Sequence, residues 1–255
     1  MSGRYKVTLA YDGSAFHGSQ RQPELRTVQG EVERALREIS WQGRAVHFAG
    51  RTDAGVHAAG QVIAFDLDWR HGVEDLQRAL NATLPVDIAA VSIQKAPEEF
   101  EPRFDASKRR YTYQIRCSPV RDPLQDRYRW RVWPEVEYER MNRAAQPLVG
   151  VHDFAALGSP HQDGGSTIRE VFETSWSADR EQADFEILGN AFLYHMVRHI
   201  VILLVEIGQG RKEISDVQRY LDQPQGPPAR GLAPAHGLVL SQVYYPAHVG
   251  SPTSP

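Results

Sequence analysis

Hydrophobic and polar residues alternate over residues 5–12, with Tyr5, Val7, Leu9 and Tyr11 on one side, which predicts a half-buried strand. The apolar spacing then lengthens to three and four over residues 27–40. Val28, Val32, Leu36 and Ile39 form one stripe and Thr27 is a suitable N-cap, so this stretch predicts a helix. Strands are expected over 45–49 and 62–68, a helix over 73–81 on Val73, Leu76 and Leu80, and a strand over 88–96. The order β-α-β-β-α-β is that of a split βαβ, ferredoxin-like unit.

The second half repeats this order more loosely. A strand is expected over 109–117, a helix over 138–149, a hairpin pair over 171–177 and 183–188, and a long helix over 190–206 carrying Phe192, Met196, Ile200 and Leu203. A strand over 238–245 closes the pattern. The fold class predicted is therefore α+β: two tandem ferredoxin-like units with mainly antiparallel sheets meeting at a central cleft. The first unit is expected over 1–105 and the second over 106–246, with a frayed tail over 247–255. Residues 158–167, rich in Gly and Ser, and 223–236, with four prolines, read as loops.

Composition narrows the class. The 255 residues are 41% hydrophobic and 24% charged, enough apolar content to fill a core and too much for a disordered chain. Cys117 is the only cysteine, which excludes a disulfide scaffold and fits a reducing compartment. The N-terminus turns strand-like at once, without the apolar core of a signal peptide. The longest apolar run, Ile200 to Val205, is far short of the roughly 20 residues a membrane span needs. A cytoplasmic protein with no membrane association is expected.

The net charge of −3 hides an asymmetry: between Arg103 and Arg131 there are nine Lys or Arg against three Asp, a surplus of +6. Tyr111, Tyr113, Tyr128, Trp130 and Trp133 lie among or beside these cations. Arginines alone would read as a solvated strand edge. Aromatics interleaved with arginine suit unstacked bases and phosphates together, which favours RNA as the partner.

The segment with the most chemistry is Ala49-Gly50-Arg51-Thr52-Asp53-Ala54-Gly55-Val56-His57-Ala58, between two predicted strands. Its glycines permit a tight exposed loop. Arg51 and Asp53, two apart, can face the same side while Thr52 turns away. A neighbouring arginine favours the charged form of a carboxylate, and a charged, oriented carboxylate can serve as nucleophile or electrostatic stabiliser. On spacing alone, a structural Arg–Asp pair holding a turn is the simpler reading. The ten histidines form no metal pattern: His195 and His199 lack the glutamate of HExxH, and no metal is expected.

The segment GRTDAGVHA strongly resembles the signature of TruA-type tRNA pseudouridine synthases, and the likeness extends along the chain. Tyr11-Asp12-Gly13-Ser14-Ala15-Phe16-His17-Gly18 with Gln20-Arg21-Gln22 is similar to the family's opening motif. Val28-Gln29-Gly30, Leu80-Asn81, Leu84-Pro85, Arg103-Phe104-Asp105 and Arg110-Tyr111-Thr112-Tyr113 follow in family order. His152-Asp153-Phe154, Gly189-Asn190-Ala191-Phe192-Leu193, Met196-Val197-Arg198 and Ala233-Pro234-Ala235-His236-Gly237-Leu238 continue it.

The resemblance implies an isomerase that converts uridine to pseudouridine at positions 38 to 40 of the tRNA anticodon stem-loop, without metal or cofactor, usually as a homodimer. It places Asp53 on the catalytic aspartate, Tyr111 on the active-site tyrosine that contacts the target base, and Arg51 and Arg198 on arginines near the aspartate. Substrate binding is expected of Tyr111, His57, Arg109, Arg110 and Leu238. Attack by Asp53 at C1′, addition to C6 of the base and a glycal route all remain open at this point. Three departures stand out: Ser19 where the family usually has an aromatic, Phe100-Glu101-Pro102-Arg103 before the central strand, and Ile202 where a glycine is common. The rival readings are a catalytically silent RNA-binding protein on the same fold and a metal-dependent phosphoester hydrolase, which chelators would inhibit.

Overall fold

The computed structural model describes residues 3–160 and 162–246; the tail expected over 247–255 lies outside the described residues. The described residues form two compact units, one gathering residues 3–107 with 240–246, the other comprising Lys108–Val239. The architecture is mixed α+β, with largely antiparallel strand pairing.

In the first unit, β1 (Gly3–Tyr11), α1 (Val28–Glu38), β2 (His47–Phe48), β3 (His57–Leu67), α2 (Val73–Thr83) and β4 (Ile88–Ala96) follow one another. β1 is central, antiparallel to β3 on one side and to β4 on the other, and β2 adds to β3. The predicted alternation is realised: Tyr5, Val7, Leu9 and Tyr11 are all buried, as are Val28, Val32 and Leu36 of α1 and Leu76 and Leu80 of α2. Thr27 caps α1 by accepting the Gly30 N–H at 3.2 Å. Glu33, buried on α1, accepts from Arg21, Gln29 and the amide of Val46, so its charge is paired as a buried carboxylate requires.

Two predicted strands are redrawn. The first shrinks to His47–Phe48, and the second begins at His57, five residues before the expected start. The sequence hid that extension because Ala58, Ala59 and Gly60 carry no apolar alternation. Gly60 is small for a reason: a Cβ there would collide with the backbone oxygen of Ser241.

The second unit is built from β5 (Lys108–Cys117), β6 (Trp130–Val132), α3 (Tyr138–Ala145), β7 (Gly150–Asp153), β8 (Ile168–Asp179), β9 (Gln182–Gly189), α4 (Met196–Gly208) and α5 (Asp216–Asp222). β9 lies between β5 and β8 with antiparallel register on both sides, β7 flanks β8, and β6 runs parallel to the end of β5. Tyr113, Ile115, Phe185, Ile187, Met141 and Phe154 are fully buried, with Met196, Ile200, Leu203, Leu204 and Ile207 of α4.

α3 stops at Ala145 instead of reaching 149, because Pro147 lacks an N–H and the chain tightens into a 3-10 turn, Gln146–Leu148. α4 starts at Met196, six residues later than expected. Tyr194 exchanges backbone hydrogen bonds with Ser159, and His195 adopts a left-handed conformation (φ 65°), so residues 190–195 form a turn leading into the helix.

The closing strand β10 (Leu238–Tyr244) passes into the first unit at Leu240, beside β3. Residues 106–246 are thus not one compact unit: the Ser107 amide donates to the Tyr244 carbonyl, and Tyr245 packs on Phe100 and donates to the Pro102 carbonyl.

Candidate active site

Within the first unit, Arg51 is exposed, Asp53 is partly exposed, and Thr52 between them is buried. That alternation presents the arginine and the aspartate while the threonine anchors. The Thr52 hydroxyl lies 2.8 Å from the Tyr11 hydroxyl, and its amide donates to Ser19 Oγ at 2.8 Å. The Thr52 carbonyl accepts from the Ser19 amide at 3.0 Å. Gln61, fully buried on β3, donates to the Gly50 carbonyl at 2.9 Å and reaches the Tyr11 hydroxyl at 3.4 Å. Burial pushes the Tyr11 phenol up to about 12, against the lowering effect of its bonds to Thr52 and Gln61, so the hydroxyl stays protonated.

The loop closes through the Val56 amide on the Asp53 carbonyl (3.1 Å) and the Gly55 amide on the Phe16 carbonyl (3.3 Å). Gly55 and Gly18 both take positive φ, 79° and 90°. Side chains are also excluded by contact: a Cβ on Gly13 would run into the Val56 carbonyl, and one on Gly18 would lie 2.9 Å from the Thr52 oxygen. His57 is buried at the start of β3. Its Nδ1 lies 2.9 Å from the Gly13 amide nitrogen, which donates to it, and 3.2 Å from Asp12 Oδ1. His57 thereby ties the loop's end to the turn opened by Asp12, whose Oδ1 accepts from the Ser14 amide.

In the second unit, Tyr111 sits on β5, almost fully buried, with its ring edge-on to Phe192 (centroids 5.2 Å apart, planes 86°). Arg109 donates to the Asn190 carbonyl at 2.7 Å, which links β5 to the turn before α4. Arg110 pairs with Glu186 at 2.7 Å and Glu173 at 3.2 Å, so its charge is countered locally. Arg198, in the first turn of α4, donates through Nε to the Ala233 carbonyl. Tyr113 donates to the next carbonyl, Pro234, at 2.7 Å. Burial raises the Tyr113 phenol well above its ordinary range, against the lowering pull of Arg198, and keeps this donor protonated. Leu238 is buried at the start of β10.

The structure thus places Arg51 and Asp53 on one loop of the first unit, with His57 opening the strand that follows it. Tyr111, Arg109 and Arg110 share β5 in the second unit, and Arg198 is fixed beside Tyr113 through residues 233–234. Sequence reasoning missed the supports: Tyr11 reads as strand core and motif, Tyr113 as motif and as an aromatic among the cations, and Gln61 carries no signal at all. Ser19 had shown itself only as a departure from the family pattern. The other two departures are accommodated structurally. Phe100 is buried and Glu101 binds Arg4 and His47, while Ile202 packs against Gly231, whose φ is 83°. Among the described residues no group of three His, Cys, Asp or Glu side chains is placed to hold a metal ion, and no helix is long and apolar enough to cross a membrane.

A family model described as tRNA pseudouridine synthase matches residues 8–105 and 144–246. Among curated relatives, the tRNA pseudouridine synthase A of Limosilactobacillus fermentum is 41% identical over 97% of this chain and 98% of its own length. That of Latilactobacillus sakei is 41% identical over 96% of this chain and all of its own length. That of a Geobacter species is 38% identical over 94% of this chain. A family match over both halves and likeness along nearly the whole length make the chain a member of the tRNA pseudouridine synthase family.

Proposed function

We propose that this isomerase converts uridine to pseudouridine at positions 38 to 40 of the tRNA anticodon stem-loop, with Asp53 as nucleophile and no cofactor. The observation that carries the proposal is the pinned loop at 50–57. Buried Thr52 is held from both sides, and the carboxylate-bearing residue after it remains open to solvent.

The reaction rearranges one molecule: the C1′–N1 bond breaks, uracil turns, C5 bonds to C1′, and the C5 proton is lost as N1 regains one. Atoms balance without a redox or metal centre. A paired, stacked uridine must first leave the helix, and an aromatic face compensates the stacking it loses. Tyr111, steadied by Phe192, is proposed for that face. Arg51 and Arg198 are proposed as the cations that stabilise charge during glycosidic cleavage. Asp53 attacks C1′, adds to C6, or removes the C2′ proton on a glycal route; the same carboxylate or Tyr111 then assists loss of the C5 proton.

Arg109, Arg110, His57 and Leu238 are proposed to shape the substrate site, His57 and Leu238 from buried positions. The element orders of the two halves support two ferredoxin-like units, the first carrying the catalytic loop and the second the basic segment. A cytoplasmic homodimer is proposed as the working form.

The test is incubation of purified, EDTA-treated protein with unmodified tRNA, followed by mapping of pseudouridine at each nucleotide, with Asp53→Asn alongside. Pseudouridine at 38 to 40 from the wild type alone, with Asp53→Asn binding tRNA nearly as well, is the expected result. Substantial turnover by Asp53→Asn removes the aspartate from its role. Tight tRNA binding without product from either protein favours a silent RNA-binding protein.

A further inference from the structure

We propose that Ser19 is a positioning residue for the catalytic loop, acting through the backbone of Thr52 to hold the Asp53 carboxylate in its reactive placement. The proposal rests on the reading of Asp53 as nucleophile. Ser19 is 1% exposed, and its side chain is too short to reach beyond its immediate neighbours. It meets Thr52 at two points: Ser19 N–H donates to the Thr52 carbonyl at 3.0 Å, and Thr52 N–H donates to Ser19 Oγ at 2.8 Å.

Both flanks of this two-point bridge are fixed. On one side, the Ser19 carbonyl accepts from the Gln29 amide at 2.9 Å and the Gly18 carbonyl from the Val28 amide at 3.3 Å, so Ser19 is tied to the first turn of α1. On the other, the Thr52 hydroxyl is held by Tyr11 of β1, and Gln61 of β3 holds Gly50. Thr52, the residue leading into Asp53, is therefore located by a helix and two strands together, and Ser19 Oγ accepts its amide hydrogen. The close approach needs Gly18 in its positive-φ conformation, since a Cβ there would lie 2.9 Å from the Thr52 oxygen.

An aromatic at position 19, which the family's pattern usually carries, has no acceptor in the ring for this amide and could restrain the loop only by packing. A hydroxyl restrains it by direction as well. Deleting that oxygen leaves a buried N–H without its acceptor, and the loop is expected to shift until water or another group satisfies it. A displacement of this kind matters for a nucleophile, because a misplacement of about 1 Å can cost on the order of a hundredfold in rate.

The experiment compares wild type, Ser19→Ala, Ser19→Cys and Asp53→Asn by single-turnover pseudouridine formation, tRNA binding, melting temperature and amide exchange at Thr52. Ser19→Cys fills the space with a slightly larger thiol while weakening the acceptor, so it decides the matter if Ser19→Ala does not fold. The expected result is a rate roughly tenfold lower in both Ser19 variants, a tRNA dissociation constant within about twofold of wild type, and faster exchange of the Thr52 amide. Placing Ser19→Ala in the Asp53→Asn background should add no further loss. Rates close to wild type in both Ser19 variants, with Asp53→Asn inactive, overturn the proposal and leave the aspartate in its role. An active Asp53→Asn overturns the underlying reading regardless of Ser19. Rate loss that comes with equal loss of tRNA affinity, or with unchanged Thr52 exchange, also overturns the positioning role.

Discussion

At the residue scale, buried polar side chains such as Tyr11, Ser19 and Gln61 hold the loop that carries the proposed reactive groups. Arg51, Asp53 and Tyr111 announced themselves because a motif fixes identity and spacing, which one sequence displays directly. Tyr11 shows why supports escape such reading: its position in an alternating strand predicted burial, correctly, but nothing in that pattern says that its hydroxyl meets Thr52 41 residues later. Gly13 is similar. The motif includes it without saying that its hydrogen side chain admits the Val56 carbonyl. Gly13→Ala forces backbone to move where the loop carrying Asp53 ends at Val56, so activity should fall by at least tenfold, with a stability loss of about 1–3 kcal/mol. Activity assays and chemical denaturation of that variant check both. Tyr113→Phe leaves the Pro234 carbonyl without its donor and should cost about 1–2 kcal/mol in denaturation midpoints. Arg198 remains bound to the adjacent Ala233 carbonyl in that variant, so the chemistry should suffer less than the stability.

At the scale of elements, long amphipathic segments were read well and their ends poorly. α1 was fixed by four apolar positions and a capping threonine, and both signals hold: Val28, Val32 and Leu36 are buried and Thr27 accepts the Gly30 amide. Thr27→Ala should therefore lower stability by about 1 kcal/mol, measured by thermal or urea unfolding. Because Gly18 and Ser19 bond to the first turn of α1, fraying there should also be felt at the loop as reduced turnover. α4 shows the opposite case. Its apolar spacing runs back to Phe192, yet the helix starts only at Met196, since backbone pairing with Ser159 and the left-handed His195 take residues 190–195 out of the helical path. Periodicity records which side chains face the core; it carries no information about a distant strand-like partner. β6, β7 and α5 went unread because three-, four- and seven-residue elements span too few periods to be told from loops.

At the scale of the whole molecule, charge decides two measurable responses. Burial lowers the pKa of His199 and of His236; Arg198 lowers the first further, while bonds to Gly231 and Arg129 and the charge of Asp126 partly oppose the effect. Such histidines bind protons more weakly folded than unfolded. Their contribution to stability is complete above the unfolded value, near 6.5, and is lost as the pH falls from there through the folded values. Melting temperature should drop between pH 7.5 and pH 5, and the double variant His199→Gln, His236→Gln should show a shallower drop. The surplus of cations between Arg103 and Arg131 is less available to RNA than the sequence implied, because ion pairs engage part of it. Arg116 is buried against Asp126 and Glu181, Arg129 pairs with Asp184, and Arg131 reaches Asp126. Arg121 differs: it lies exposed just before a turn whose shape is set by Asp122 and Asp126. Each phosphate contact adds close to one to the slope of log affinity against log salt. Arg121→Ala should thus weaken tRNA binding, reduce that slope by about one and leave the melting temperature unchanged. Arg116→Ala should do the reverse, since it strands the two carboxylates that Arg116 holds: a lower melting temperature with an unaltered salt slope. Titrations of tRNA binding between 50 and 200 mM salt distinguish the two, and an unchanged slope for Arg121→Ala would remove that residue from the RNA-binding surface.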